Sequence, residues 1–423
     1  MREMKDSGIA WVGEIPEYWN VNRAKYCFVN TKEIAGCRSD RYERLALTMN
    51  GVIKRSKDDS NGLQPEKFET YQILRPDELV FKLIDLQNVS TSRVGLSPYL
   101  GLVSPAYIIL KSNKRVLPAF AEKYFLMLWK NQIFNALGDA GVRSNLNSKD
   151  LLELSIPLPP LVEQQRIAEF LDRECGKIDG LKADIQVQID TLEQYKRSVI
   201  TEAVTHGLNP SAPMKDSKVW YGQIPSEWKE LKGKYVFKQR NDRGNNVCLQ
   251  LLSPTQKYGV IPQDKYEELT GMNAVKLNDS TNYALLKTIH KGDYCISLRS
   301  FQGGFEYSEY EGVVSPAYQV FYPIITIADG YYKYLFKEKG FIDVMNSYTM
   351  SLRDGKNIAF DDFGDTFIPV PPLDEQQEIA DYLDNKCAEI EQIIADKKSQ
   401  IETLDGYKKS LIYEYVTGKK EVG

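Results

Sequence analysis

The predicted fold is α+β: two similar globular modules, each followed by a long helix, with the two helices pairing as an antiparallel coiled coil about a pseudo-two-fold axis. Three observations predict it. Four sequence blocks recur in one order at a nearly constant offset. Short β-type runs separated by turns fill the interior of each copy. An apolar stripe at heptad spacing closes each copy. At 423 residues the chain is too long for one ordinary core, and its 42% hydrophobic content suits a globular protein.

The repeat carries most of the argument. Trp11-Val-Gly-Glu-Ile-Pro-Glu-Tyr-Trp19 returns as Trp220-Tyr-Gly-Gln-Ile-Pro-Ser-Glu-Trp228, with five of nine positions matching. Gly101-Leu-Val-Ser-Pro-Ala-Tyr107 returns as Gly312–Tyr318 with six of seven matching. Pro157–Asp172 returns as Pro369–Asp384 with eleven of sixteen, and Tyr195-Lys-Arg-Ser returns as Tyr407-Lys-Lys-Ser. The offsets run only from 209 to 212. Residues 30–95 and 239–305 share much less. Each copy is therefore a fixed frame around a variable interior, which implies boundaries at 1–160 and 209–372 for the modules and 161–208 and 373–423 for the helical regions.

Within a copy, the Trp-x-Gly-x-Ile-Pro-x-x-Trp segment predicts an ordered, packed turn. The runs Glu78–Ile84 and Tyr107–Leu110, with counterparts Asp293–Leu298 and Tyr318–Phe321, predict strands of a mostly antiparallel sheet. Turns at Arg75-Pro76-Asp77 and Lys291-Gly292-Asp293 lead into them. A helix rich in Tyr, Phe and Leu follows, over Pro118–Phe134 and Asp329–Met345. The 26 Tyr, 16 Phe and 5 Trp read mainly as core. Pro157-x-Pro-Pro and Pro369-x-Pro-Pro end the module, because proline fixes φ and cannot continue a ladder.

The long helix follows, with Glu163 or Glu375 in a first turn that favours a carboxylate. Its expected seam is Leu171, Ile178, Leu181, Ile185, Leu192, Tyr195 and Val199 in the first copy. In the second it is Leu383, Ile390, Ile393, Leu404, Tyr407 and Leu411, interrupted by Lys397. Gln188 and Gln400 fall at matching positions of that expected seam. About 40 residues at ~1.5 Å each make a rod too long to bury its stripe on a small module alone, so the two helices are expected to pair. Gly176 and Gly180 weaken the first.

The net charge of −4 hides a partition. Residues 161–205 carry −3 and residues 373–416 carry −6, leaving +5 for the remainder. Basic modules on acidic rods favour nucleic acid at the modules. The six cysteines form no CxxC pair, which argues against a zinc ribbon and fits small buried residues in a reducing, cytoplasmic setting. The polar start of the chain does not read as a signal peptide, and no apolar run is long enough to span a membrane. Only His206 and His290 are present, neither beside a second metal ligand. His206 suits a helix C-terminus. No Walker loop, GxGxxG or Asn/Asp-Pro-Pro-aromatic segment occurs. These absences point to binding, with no metal site and no cofactor in this chain.

The duplicated Pro-x-Pro-Pro-Leu-x-Glu-Gln-Gln-x-Ile-Ala-x-x-Leu-Asp and Val-Ser-Pro-Ala-Tyr blocks, with the two Trp-x-Gly-x-Ile-Pro-x-x-Trp openings, resemble Type I restriction-modification specificity subunits over essentially the whole chain. The resemblance implies two target-recognition domains and two helical conserved regions. Each domain would read one half of a split site in double-stranded DNA, and the paired helices would set the unread gap. It also implies two modification subunits that methylate adenine and restriction subunits that cleave. S-adenosylmethionine, ATP and Mg would be used by those partners, and this chain would be non-catalytic.

Base reading requires Arg, Lys, Asn, Gln, Ser or Thr on loops or strand ends. In the second module Arg299, Ser300, Gln302, Gly303 and Gly304 combine donors with glycines that allow close approach. The same place in the first module holds Gln87, Ser90, Thr91, Ser92 and Arg93. A second loop pair holds Arg143 and Asn145, and Arg353 and Lys356, whose basic residues suit phosphates. Lys54, Arg55 and Lys57 form a third basic cluster. Two other readings fit the residues: a coiled-coil adaptor that binds protein, and an enzyme acting on DNA.

Overall fold

A computed structural model describes residues 2–59, 67–86, 92–138, 145–218, 222–244, 249–272, 283–296, 304–348 and 358–423. It divides into two compact units, one of residues 1–186 with 398–423 and one of residues 187–397. The helices Leu161–His206 and Leu373–Val416 each contribute to both units.

In the first unit, one four-stranded sheet runs Gly51–Arg55, Arg44–Thr48, Gly101–Val103, Gln72–Leu74. A second runs Phe28–Thr31, Ile108–Ser112, Leu79–Phe81, Val94–Leu96 and is antiparallel throughout. The one parallel contact of the first sheet pairs Leu102 with Arg44. Two-stranded ribbons join Met4–Asp6 to Glu14–Pro16 and Asn20–Arg23 to Ser155–Leu158. The second unit repeats these parts. Phe237–Arg240, Gln319–Pro323, Tyr294–Ile296 and Phe305–Tyr307 form its four-stranded sheet. Hairpin Leu252–Thr255/Gly259–Pro262 and ribbon Lys287–Ile289/Gly312–Val314 are linked by a parallel bridge, Leu251 to Val313. Strands Met4–Asp6 and Met214–Asp216 are both Met-Lys-Asp, a fifth repeated block that comparison of the longer blocks passes over.

Most of the described aromatic residues are buried or pack partly buried against the cores, as expected. Trp19, Phe81, Phe120, Tyr124 and Phe125 are buried in the first unit, and Trp228, Phe237, Tyr294, Phe321 and Phe336 in the second. Phe321 and Phe363 approach to 4.9 Å between ring centroids, within the range of favourable ring pairs. Each helix expected after the sheet is broken in two. Pro118–Lys130 and Ile133–Leu137 are separated by Gln132, whose φ of 61° cannot continue a right-handed helix. Asp329–Leu335 and Lys339–Ser347 are separated where the Glu338 carboxylate caps Phe341 N–H at 2.8 Å. Cys27, Cys175, Cys295 and Cys387 are buried, but Cys37 is exposed, and Cys248 lies outside the described residues.

The long helices pair antiparallel in each unit. Lys182 meets Asp405 at 2.5 Å and Lys408 meets Asp179 at 2.6 Å in the first. Lys196 meets Glu391, and Lys397 Nζ donates to Gln188 Oε1 at 2.5 Å, in the second. The seam differs from the expected one. Leu181, Tyr195, Ile393 and Tyr407 are exposed, and Ile189 and Ile394 are buried instead. Gln188 and Gln400 also lie outside it. The half-buried or buried positions Ile178, Lys182, Ile185, Ile189, Leu192, Lys196 and Val199 step by four and three. Lysines occupy seam positions because their methylene stems pack while their ammonium groups reach acids on the opposite helix.

Gly101 and Gly312 explain the repeated Gly-x-Val-Ser-Pro block. A Cβ at Gly101 would fall 2.6 Å from Leu45 Cγ and 2.7 Å from the Glu43 carbonyl. Gly312 faces Gln250 and Leu252 in the same way. Gly101→Ala is expected to cost about 1–3 kcal/mol through overpacking, read as a lower urea midpoint.

Candidate nucleic-acid interface

The repeated blocks build the frame on which the modules sit. The Trp19 indole donates to Glu163 at 3.1 Å, and Trp228 donates to Glu375 at 2.8 Å. The first glutamine of each Glu-Gln-Gln is buried and acts as a two-way clamp. Gln164 donates to the Pro159 carbonyl and accepts from Leu117 N–H, both at 2.8 Å. Gln376 donates to Pro371 at 2.9 Å and accepts from Ala328 N–H at 3.0 Å. The second glutamine reaches the acid one turn on, Glu169 or Asp381. These residues hold the long helix, the proline bridge and the start of the helix that precedes them in one register.

Of the expected contact residues, Gln87, Ser90, Thr91, Arg143, Arg299, Ser300, Gln302, Gly303, Arg353 and Lys356 lie outside the described residues. Ser92, Arg93 and Gly304 are described and buried, which corrects their expected place at the surface. The Ser92 hydroxyl donates to the Val94 carbonyl at 2.7 Å. Arg93 Nη2 donates to the Asp85 carbonyl at 2.5 Å, and burial pushes the Arg93 guanidinium below its ordinary range. Asn145 is exposed and accepts from Asp85 N–H at 3.1 Å. Asp85, with a φ of 54°, is thus gripped from both sides, and two loops expected to act separately are tied at their bases. Arg93 and Asn145 brace the Asp85 turn.

Lys54, Arg55 and Lys57 lie together at the edge hairpin of the first module. They line a concavity of about 500 Å³ with Tyr42, Glu43, Arg44 and Ser56. Lys54 pairs with Glu43 at 2.6 Å and Arg55 with Asp59 at 3.2 Å. Lys57 Nζ donates to the Ser39 carbonyl at 2.9 Å. Arg44, which sequence reasoning missed, faces Arg55 directly across the strands. An arginine opening a strand that pairs back onto the Lys54-Arg55 run was the available signal.

The second module spends its basic residues differently. Arg240 forks onto Asp293 at 2.7 and 3.1 Å, and Lys287 donates to the Tyr318 carbonyl at 2.7 Å. His206 ends the first long helix, with Nδ1 2.7 Å from the Thr205 hydroxyl. Among the described residues no group of three or more His, Cys, Asp or Glu side chains is placed to hold a metal, and no helix is long and apolar enough to cross a membrane.

A family model described as the Type I restriction modification DNA specificity domain matches residues 59–190 and 224–403. A protein named as the type I restriction enzyme MjaX specificity subunit of Methanocaldococcus jannaschii is 23% identical over 97% of this chain and 96% of its own length. The type I restriction enzyme EcoKI specificity subunit of Escherichia coli K12 is 23% identical over 43% of this chain and 39% of its own. A solved structure concerned with complex assembly and conformational transition of the type I R-M system contains a chain that superposes with a TM-score of 0.68. At 14% identity it covers 96% of this chain and 99% of that one, so the likeness is one of fold.

Proposed function

Since the chain belongs to the Type I restriction-modification DNA specificity family, whose model matches both copies, we propose that it is the specificity subunit of such an enzyme, each module reading one half of a bipartite site in double-stranded DNA. The observation that carries this reading is the contrast between frame and face. The Trp–Glu and Gln clamps recur almost atom for atom in both units. Among the described residues the basic groups on the variable sheets differ: Arg44, Arg55 and Arg93 of the first module stand where the second has Leu251, Gln263 and Gly304. Two different surfaces on one repeated scaffold suit two different half-sites.

Adenine methylation and cleavage fall in this reading to two modification subunits and to restriction subunits, which would use S-adenosylmethionine, ATP and Mg. This chain is proposed to be non-catalytic. Its base contacts are proposed at Arg299, Ser300, Gln302 and Gly303 in one module and at Gln87, Ser90 and Thr91 in the other. Arg143, Arg353, Lys356, Lys54, Arg55 and Lys57 are assigned to phosphates. No observation favours the protein-binding adaptor.

Exchanging residues 239–305 for the matching segment of another family member tests the proposal. Methylated adenines mapped across the host genome are expected to keep one half-site and the gap and to change the other half-site. An unchanged motif, or a change in both halves, would overturn the division of labour. Loss of the gene leaving the methylation map intact would overturn the function itself.

A further inference from the structure

We infer that the edge hairpin of the first module is a built phosphate socket, centred on Arg44 and Arg55, that the second module lacks. The inference rests on the DNA-reading function proposed above and adds where the backbone is gripped and by which copy.

Arg44 and Arg55 are direct Cα partners in the antiparallel pair Arg44–Thr48/Gly51–Arg55. Like charges placed opposite one another on adjacent strands repel. Arg44 is also only 8% exposed. Its Nη1 is buried and has no hydrogen-bond partner among the described residues. Burying a guanidinium nitrogen without a partner is costly, and such a group in a native fold calls for an anion, a water or another partner. Of the nearby carboxylates, Glu43 pairs with Lys54 and Asp59 with Arg55 itself, so the guanidinium of Arg44 is the one left without an acid partner among the described residues. The concavity that Arg44 lines holds four cationic side chains and one carboxylate. Burial pushes the Tyr107 phenol up, and the charges of Arg93, Arg44 and Arg55 oppose it. A phosphodiester oxygen seated there would satisfy Arg44 and relieve the Arg44–Arg55 repulsion.

The second module has the same hairpin without the charge. Gly259 aligns with Gly51 in the strand register, and Gln263 N–H donates to the Leu251 carbonyl at 3.1 Å, where Arg55 would face Arg44. Leu251 and Gln263 therefore replace Arg44 and Arg55, and Gly304 replaces Arg93. The hairpin forms in the second copy without Arg44 and Arg55, so their presence in the first is consistent with a ligand there.

The test uses the residues of the second copy, which this fold already accepts. Arg44→Leu and Arg55→Gln are made separately in the full chain. Duplex binding is measured across a salt series, on a duplex carrying the mapped site and on a scrambled one. Melting temperature is measured against inorganic phosphate, with chloride at matched ionic strength as the baseline. Each variant is expected to bind both duplexes more weakly by the same factor, and to reduce the slope of log K against log salt by about 1. Each is also expected to lose the phosphate-dependent rise in melting temperature. Unchanged slopes with an unchanged phosphate response would overturn the socket. Loss of the phosphate response in both variants, while the unaltered chain binds no duplex, would uphold the socket as a site for free phosphate and overturn the DNA reading. Arg55 is partly exposed, so its variant keeps the test valid if Arg44→Leu does not fold.

Discussion

Lys337→Met is expected to destabilise the second unit by about 3–5 kcal/mol, because it strips a buried carboxylate of its cation. Lys337 Nζ lies 2.5 Å from Glu306, whose side chain is only 2% exposed. Burial pushes the Glu306 carboxyl up to about 7 even with the lysine in place, and the same burial lowers Lys337. A carboxyl whose folded pKa is raised favours the fold when protonated. That contribution is complete below its ordinary value near 4.5 and is lost as pH rises through about 7. The loss in Lys337→Met is therefore expected to be larger at pH 8 than at pH 5, measured by urea denaturation at both. Glu306→Gln added to Lys337→Met is expected to recover most of the stability. The corresponding residues of the first module are Gly95 and Leu126, so the scaffold folds without the pair. An equal loss at both pH values would show that the carboxylate is not the source.

Gln164→Leu is expected to cost a comparable amount in the first unit. The amide is 1% exposed and serves two main-chain groups, the Pro159 carbonyl and the Leu117 N–H. Removing it orphans a buried acceptor and a partly buried donor at up to about 1–3 kcal/mol each. The Leu117 N–H belongs to the N-cap residue of helix Pro118–Lys130, so its amide exchange is expected to accelerate far more than those of the distant edge hairpin. Gln376→Leu is expected to act in the same way through Ala328 in the second unit. Uniform acceleration across the unit, with no excess at Leu117, would contradict a local clamp.

The legible part of this molecule is the part that recurs. A block that appears twice tests itself, so the modules, the proline bridges and the helices could be read without any contact map. Periodicity was less decisive along the helices. Leu181 and Lys182 are adjacent, and apolar character alone selects the leucine. The structure places Lys182 at the partly buried seam, where its ammonium meets Asp405. The break at Gln132 was equally hidden, because glutamine is an ordinary helix former and its residue type does not signal a left-handed φ.

The site divides along the same line. Sequence alone determined that two unlike modules share one frame, that basic charge gathers on them, and that Lys54, Arg55 and Lys57 cluster, because composition and local spacing carry that information. Only the tertiary structure decided which arginines are clamped inside and which line a concavity. Arg93 looks like a loop donor in sequence and is instead clamped inside on Asp85, whereas Arg44 looks like the start of a strand and lines a cationic concavity. Burial and strand register depend on partners far along the chain, and single-residue character does not encode them.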